Sequence, residues 1–407
     1  MNVLVLDGNE NQAVACVRSL ARAGHRVHVG ASTSWSKAGL SRYCAGSFRY
    51  PSPEHDVPGF VRSITDAVVR LPSALVLPMT ERTTLPLSAE RSSVETVGGR
   101  FVLPSHETVL RAFDKSETMR VAASVGVDVP KTAELRSSAE AEAFATRAQF
   151  PVVLKGRSSE EISTAGQVVT AGAPLYARSQ DELLSAFETL HRRTSVVLAQ
   201  EFIAGTGAGY FALMRHGELR AEFAHQRLRD VRPTGSGSAL RVSVALDPRV
   251  RESGVAILRA LGWHGVAMVE FRMRPDGTPV FLEVNGRFWN SLALAVYAGM
   301  DFPAMLAELA ERGDIAHPRT YRVGVRCRWL LGDFRHLVEV FRGRPREYPG
   351  TFPARLATLG AFLRPVPGTY HDNFLIRDPL PELGDWVDFA TRKVWNRLRK
   401  SRAVATC

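Results

Sequence analysis

Residues 264–290, HGVAMVEFRMRPDGTPVFLEVNGRFWN, constrain the chain more than any other stretch. Apolar and polar residues alternate on both sides of Arg274-Pro-Asp-Gly-Thr278, where Pro at the second position and Gly after Asp form a turn signal. The segment predicts a β-hairpin. If residues 275–278 are the loop, Glu270 lies directly opposite Glu283, and the two-residue period puts Asn285 and Arg287 on the face of Glu283. Opposed side chains have Cβ atoms ~4.5–5.5 Å apart, and like charges there are destabilising, so something must compensate. Two carboxylates and an amide oxygen are hard ligands of the kind Mg²⁺ takes, its other places going to water and phosphate oxygens. The strip Glu270, Glu283 and Asn285 therefore predicts a metal–nucleotide site. A solvated hairpin face is the competing reading of the hairpin alone.

Upstream, the chain reads as α/β. The run Val3–Leu6, a helical pattern over Gln12–Ala23 closed by Gly24, and the run Val27–Val29 form a βαβ start, which announces a parallel sheet. The turn after the first strand holds Gly8 only, so no dinucleotide fingerprint is present. Further strands are expected at Ala74–Pro78, ending on Thr80-Glu81, and at Phe101–Pro104. Residues 1–108 form an open α/β domain on this reading. Asp114 followed by Glu117 has capping-box spacing, so Lys115 opens a helix running to about Val125. A second α/β unit begins with the strand ending at Lys155, continues through a helix at 180–191, and reaches the strand Ser195–Ile203. Gly205–Gly209 reads as a turn, Arg232–Ser238 as a mobile loop, and 249–261 as a helix.

The lysines are the second clue, because only six of the 52 basic residues are Lys. Lys115 sits at a helix N-terminus and Lys155 at a strand end, and each could present an ammonium to phosphate oxygens. The net charge of +11 carries less information: six basic residues crowd into Trp386–Arg402 against Asp388 alone. With no helix-turn-helix, zinc finger or RRM motif, nucleic acid is not expected as a partner. That terminal stretch could lie as an amphipathic helix on an anionic membrane; docking on its own domain is the favoured expectation. No apolar run approaches the ~18 residues of a membrane span, the best being Leu292–Met300, and the N-terminus has no signal-peptide pattern. Cys16, Cys44, Cys327 and Cys407 lack CxxC spacing, which indicates neither zinc nor disulfides and fits a cytoplasmic protein.

Taken in order, Lys115, Lys155, Gln200-Glu-Phe-Ile203, Glu270 and Glu283-Val-Asn285-Gly-Arg287, then Ser291-Leu-Ala-Leu and Ala298-Gly-Met-Asp301, resemble the ATP-grasp superfamily over roughly residues 105–312. The style is that of D-alanine:D-alanine ligase, biotin carboxylase and the large subunit of carbamoyl-phosphate synthetase. The resemblance implies a Rossmann-like domain (1–108), a central lobe (109–200), a C-terminal lobe with the metal hairpin (201–315) and a C-terminal extension (316–407). It implies an ATP- and Mg²⁺-dependent, ADP-forming ligase, with Mn²⁺ a substitute, that joins a small-molecule carboxylate to an amine, such as an amino acid, through an acylphosphate. Lys115 and Lys155 then contact phosphate, Glu201, Phe202 and Ile203 read adenine, and Glu270, Glu283 and Asn285 hold the metal. Arg287 touches phosphate or the intermediate. Glu81, His225 and Arg227 are candidates for substrate contact. The family's ribose carboxylate falls on Ala208, the Pro of Asn-Pro-Arg on Gly286, and the peptide-ligase Arg on Met268, leaving oxyanion stabilisation to Arg287 or Arg241. Carbamoyl-phosphate-type activation of bicarbonate or carbamate, and a non-catalytic ATP-binding regulator, are the alternatives. A homodimer is compatible with all of these readings.

Overall fold

The computed structural model describes residues 1–163, 167–316 and 319–391. The βαβ start forms as expected: strand Asn2–Val5, helix Asn11–Arg22 and strand Arg26–Ala31 belong to a four-stranded parallel sheet in the order Gly46–Arg49, Arg26–Ala31, Asn2–Val5, Leu75–Leu77. Helix Glu81–Ala89 starts four residues beyond the last of these strands, which leaves Glu81 at the carboxyl edge of the sheet, where open α/β sheets bind ligands. The strand expected at 101–104 does not form; a single parallel bridge, Leu75 to Arg100, stands in its place. Phe101 and Val102 are buried all the same and Leu103 partly so, so the run marks core and not pairing.

The next unit is a four-stranded antiparallel sheet, ordered Thr132–Leu135, Val197–Glu201, Val152–Gly156, Leu175–Ala177, backed by helices Ser138–Ala145 and Gln180–His191. Its core joins Leu135, Leu154, Phe187 and Val197. On strand Val152–Gly156, Val152 and Leu154 face that core, so the two-residue period turns Val153 and Lys155 to the opposite side. A two-stranded ribbon, Glu160–Ile162 with Val168–Thr170, overhangs it.

The largest sheet has seven strands, in the order Pro279–Asn285, Gly265–Met273, Thr206–Arg215, Glu218–Arg232, Ser236–Ser243, Arg326–Arg328, Thr369–His371. Gly205–Gly209 is not a turn. Only Gly205 takes a left-handed φ (+142°), where a Cβ would meet the Met273 carbonyl oxygen at 2.0 Å, and the strand begins at Thr206. Arg232–Ser238 likewise folds as the end of a hairpin, closed by a turn at 233–235 with Gly235 at φ +100°. The C-terminal segment is no loose appendage, because Arg326–Arg328 and Thr369–His371 extend this sheet. A single core runs from Val3 of the first sheet and Val14 and Leu20 of its helix to Phe211 and Phe223 of the third, with Trp289 and Phe302 packed beside them.

Residues 380–391 are helical, with Trp386 and Phe389 turned onto Phe334 (ring centroids 5.4 and 6.5 Å). The aromatic face expected to choose between a membrane and the protein's own domain thus packs inward; residues 392–402 of that stretch lie outside the described residues. Among the described residues no single helix is long and apolar enough to cross a membrane. The Leu292–Met300 run belongs to a pair of helices bent by 86°, Leu292–Ala298 and Phe302–Arg312, with many of their apolar side chains in the core.

Candidate active site

Glu270 pairs directly with Glu283, and Met268 with Asn285, as expected, but the expected 275–278 loop does not form: the last pair is Met273 with Pro279, and a one-residue shift restores the register at the glutamates. The back of the hairpin, Ala267, Val269, Phe271, Phe281 and Val284, is buried against Phe113, Met119 and Trp263, so Glu270 and Glu283 are left on the front. A bulge follows Glu270, after which Phe271 pairs with Phe281. Leu282 is the additional residue. The bulge frees the Phe281 N–H from the ladder to donate to the Asp128 carbonyl (2.8 Å), and it lets adjacent Leu282 and Glu283 open on the same cavity.

That cavity, about 450 Å³, lies between the antiparallel sheet and the large sheet, within the size range of small-molecule sites. Lys115, Lys155, Glu201, Phe202, Ile203, His225, Arg227, Glu270, Glu283, Asn285 and Arg287 all line it. Two sequence candidates do not. Arg241 is fully buried, paired with Asp372 and donating to the Ser238 carbonyl (2.9 Å). Glu81 stands just behind the lining, its Oε1 3.8 Å from Arg287 Nη2.

The opposed carboxylates are compensated by cations from separate elements. Asp114 caps helix Lys115–Ser124 by accepting from the Ser116 and Glu117 N–H groups, which places Lys115 at the first turn. Lys115 Nζ lies 3.6 Å from Glu283 Oε2 and donates to Ser159 Oγ (2.9 Å). Glu270 is held by the Arg227 guanidinium. Burial would raise the Glu283 carboxyl, but Lys115, Lys155 and the Asn285 amide outweigh it and hold the group below its ordinary range. Lys155 is pushed down to about 8 by burial, with Glu283 opposing. Burial raises Glu81 against the pull of Arg287 and Lys115. Burial, with Arg227 and Arg241 nearby, keeps His225 neutral; its ring stacks on Phe211 (4.6 Å) and its Nε2 meets Ser291 Oγ at 2.8 Å.

A line of hydrogen bonds orders the reacting end. Asn285 Nδ2 donates to Glu283 Oε1 (3.3 Å), and Arg287 donates to Asn285 Oδ1 (2.9 Å) and to the Phe288 carbonyl (3.1 Å). Gly286 is required between them, since a Cβ there would meet Trp263 Cη2 at 2.3 Å. At the other end, strand Val197–Glu201 runs out at the hinge. Buried Gln200 donates to Thr132 Oγ1 (2.9 Å), and the Glu201 N–H donates to the Lys131 carbonyl (2.9 Å). The described hydrogen bonds leave the backbone groups of Phe202 and Ile203 unused at the cavity wall. Sequence reasoning missed Ser159, Tyr176, Arg272 and Leu282. Only Leu282 had a signal, as the neighbour of Glu283, and it needed the bulge to be read.

No family model matches the chain. The D-alanine--D-alanine ligase of Azoarcus sp. (strain BH72) is 29% identical over 223 residues, 49% of this chain and 67% of that protein. Human mitochondrial pyruvate carboxylase is 26% identical over 208 residues, 47% of this chain, which spans only 17% of that much longer protein. Among solved structures, the biotin carboxylase domain of Hydrogenobacter thermophilus 2-oxoglutarate carboxylase, bound to MgADP, ADP and bicarbonate, superposes with a TM-score of 0.62 at 15% identity, over 80% of this chain and 73% of that one. The chain has the ATP-grasp fold.

Proposed function

We propose that the protein is an ATP-dependent ligase that joins a carboxylate to an amine through an acylphosphate, forming ADP and phosphate. The observation that carries this reading is the convergence, on one cavity, of Glu270 opposite Glu283, two ammonium groups, and a guanidinium anchored by Asn285. The donor set fits Mg²⁺. Among the described residues no group of three or more His, Cys, Asp or Glu forms, so the hairpin offers two carboxylates and an amide oxygen and leaves the remaining places to phosphate oxygens and water. Glu270, Glu283 and Asn285 would hold Mg²⁺, which would supply positive charge to neutralise phosphate oxygens.

The chain's own groups have separable roles. The unused backbone groups of Phe202 and Ile203 meet the edge of the base. Lys115 and Lys155 screen the repulsion between a carboxylate nucleophile and the γ-phosphoryl group and hold the two in line. Attack by the amine on the acylphosphate builds an oxyanion, which Arg287 is placed to stabilise before phosphate leaves. Arg241, locked to Asp372, is left without that role. Glu81 is buried and, among the described residues, has no hydrogen-bond partner, only Arg287 at 3.8 Å. A buried carboxylate in that state suits an ammonium group, and its raised affinity for protons suits it to take one from the attacking amine. An amino acid carries both groups this end offers to bind. Small molecules, not nucleic acid, are the partners on this reading, and a cytoplasmic ATP pool is the setting.

A phosphate-release screen of carboxylic acids against amines with MgATP tests the reading. Stoichiometric ADP and phosphate that depend on both an acid and an amine are expected. ATP binding with no turnover across the screen would favour a nucleotide-responsive regulator.

A further inference from the structure

Helix Arg355–Leu363 lies where its composition says it should not. Its sequence, RLATLGAFL, has only Arg355 and Thr358 as polar side chains, and a helix apolar on all sides belongs in a core. Thr358 is nevertheless its one buried residue. Leu356 is 82% exposed and Leu363 67%, and Ala357, Gly360 and Ala361 are exposed with them. The helix is firmly seated on its other side: the Arg328 guanidinium lies over the Phe362 ring (4.8 Å) and donates to the Phe362 carbonyl (2.9 Å). Leu356, Leu359 and Leu363, three and four residues apart, share one stripe. Leu359 carries that stripe to helix Leu330–Arg342, where Leu337, Val338 and Phe341 line an open apolar groove with it. Phe341 is itself exposed, as is Val366 beyond the second helix. Contiguous apolar surface of this kind marks a contact with a partner or a membrane.

Charge decides between them. Residues 341–367 hold five arginines, at 342, 344, 346, 355 and 364, against Glu347 alone. All five are exposed, and among the described residues only Arg342 has an acidic partner, Glu339. A second copy would bring the same arginines to the contact, and the chain's own terminal stretch, with six basic residues from Arg392 to Arg402, would add to the repulsion. An anionic bilayer reverses the sign: its headgroups attract guanidinium groups while its acyl boundary takes up leucine. A helix of nine residues is about 14 Å long, too short for a ~30 Å hydrocarbon layer, so it would lie in the plane of the interface.

We propose that helix Arg355–Leu363 and the adjoining end of helix Leu330–Arg342 form a docking surface for an anionic membrane. Leu356, Leu363 and Phe341 enter the acyl boundary, and Arg355 and Arg364 meet lipid phosphates. The proposal is independent of the ligase reading, because it concerns where the protein works. The connection between the two helices carries Tyr348, whose ring meets Tyr176 of the cavity lining edge-on (5.3 Å, 77°), so docking seats that end of the cavity near the bilayer.

Flotation of the full chain with lipid vesicles tests the surface. The wild type should float with vesicles of phosphatidylcholine mixed with phosphatidylglycerol, should not float with phosphatidylcholine alone, and should detach as salt rises. Leu356→Asp combined with Leu363→Asp should weaken binding to the anionic vesicles about tenfold or more, the scale for burying a leucine, with an unchanged melting temperature because both positions are exposed. If that variant fails to fold, Arg355→Glu with Arg364→Glu reads the same face from its charged rim and should lose at least about tenfold. Absence of wild-type binding to the anionic vesicles overturns the proposal. Binding that a folded variant leaves unchanged also overturns it and assigns the anchor to the basic terminal stretch. A wild-type dimer in sedimentation velocity that the leucine variant abolishes, without any vesicle binding, overturns it in favour of a second copy.

Discussion

Replacing Glu283 by Gln keeps the side chain's size and its contact with Asn285 but removes the charge that Lys115 and Lys155 face. At 3.6 Å the Lys115–Glu283 attraction is about 4–5 kcal/mol at an effective dielectric of about 20, an upper bound for so open a cavity. The carboxylate also opposes the burial that drives Lys155 down, so in the variant Lys155 should titrate below its present value of about 8. Two effects of opposite sign follow. A ligand to the catalytic cation is gone, which should lower kcat by roughly a thousandfold or more, given that metal stabilisation of the transition state amounts to several kcal/mol. Metal-free ATP should bind as well as in the wild type or better, because a negative charge beside the triphosphate has been removed. Coupled ADP-formation kinetics, with calorimetric titration of ATP in the presence and absence of Mg²⁺, reads both. Turnover within tenfold of wild type, or a tenfold loss of metal-free affinity, would refute the assignment of Glu283.

Three further outcomes are expected. Because phosphate favours the charged form of a lysine already at about 8, ATP binding between pH 8 and 9 should take up a proton and weaken as pH rises; calorimetry in buffers of different ionisation enthalpy measures this, and no uptake in that range would contradict the role of Lys155. Glu81→Gln should raise the KM for the amine about tenfold to a hundredfold, the scale for a hydrogen bond to a charged group, while ATP affinity stays constant; an unchanged amine KM removes Glu81 from the amine site. Asp372→Ala leaves the Arg241 guanidinium buried and uncompensated, at a cost of about 3–5 kcal/mol that a denaturant melt should register; a loss under 1 kcal/mol would show that the charge finds water or another partner.

Local patterns with one physical cause proved legible in the sequence. Alternation and a turn signal pointed to the hairpin and to the Glu270–Glu283 pair, Asp114 capped its helix, and the two-residue period sent Lys155 away from its core. What escaped depends on packing at a distance. Phe101–Pro104 is apolar because it is covered, and it lacks a partner strand. The bulge that swings Leu282 into the cavity also sets the pair itself: next to the turn Met273 pairs with Pro279, and without the shift Glu270 would face Leu282 instead of Glu283. Arg241 carries the right charge in the right strand, yet Asp372, 131 residues on, claims it. Tyr176 and Tyr348 meet only because the C-terminal segment returns across the cleft, and no local periodicity encodes that return.

Carboxylate activation is tested most directly by following its oxygen. With an accepted acid labelled with ¹⁸O in its carboxylate, and with the amine and MgATP present, one labelled oxygen should appear in each phosphate released, and Glu283→Gln should release none. Phosphate carrying only unlabelled oxygen would mean that water attacks the nucleotide, and that the acid is never phosphorylated.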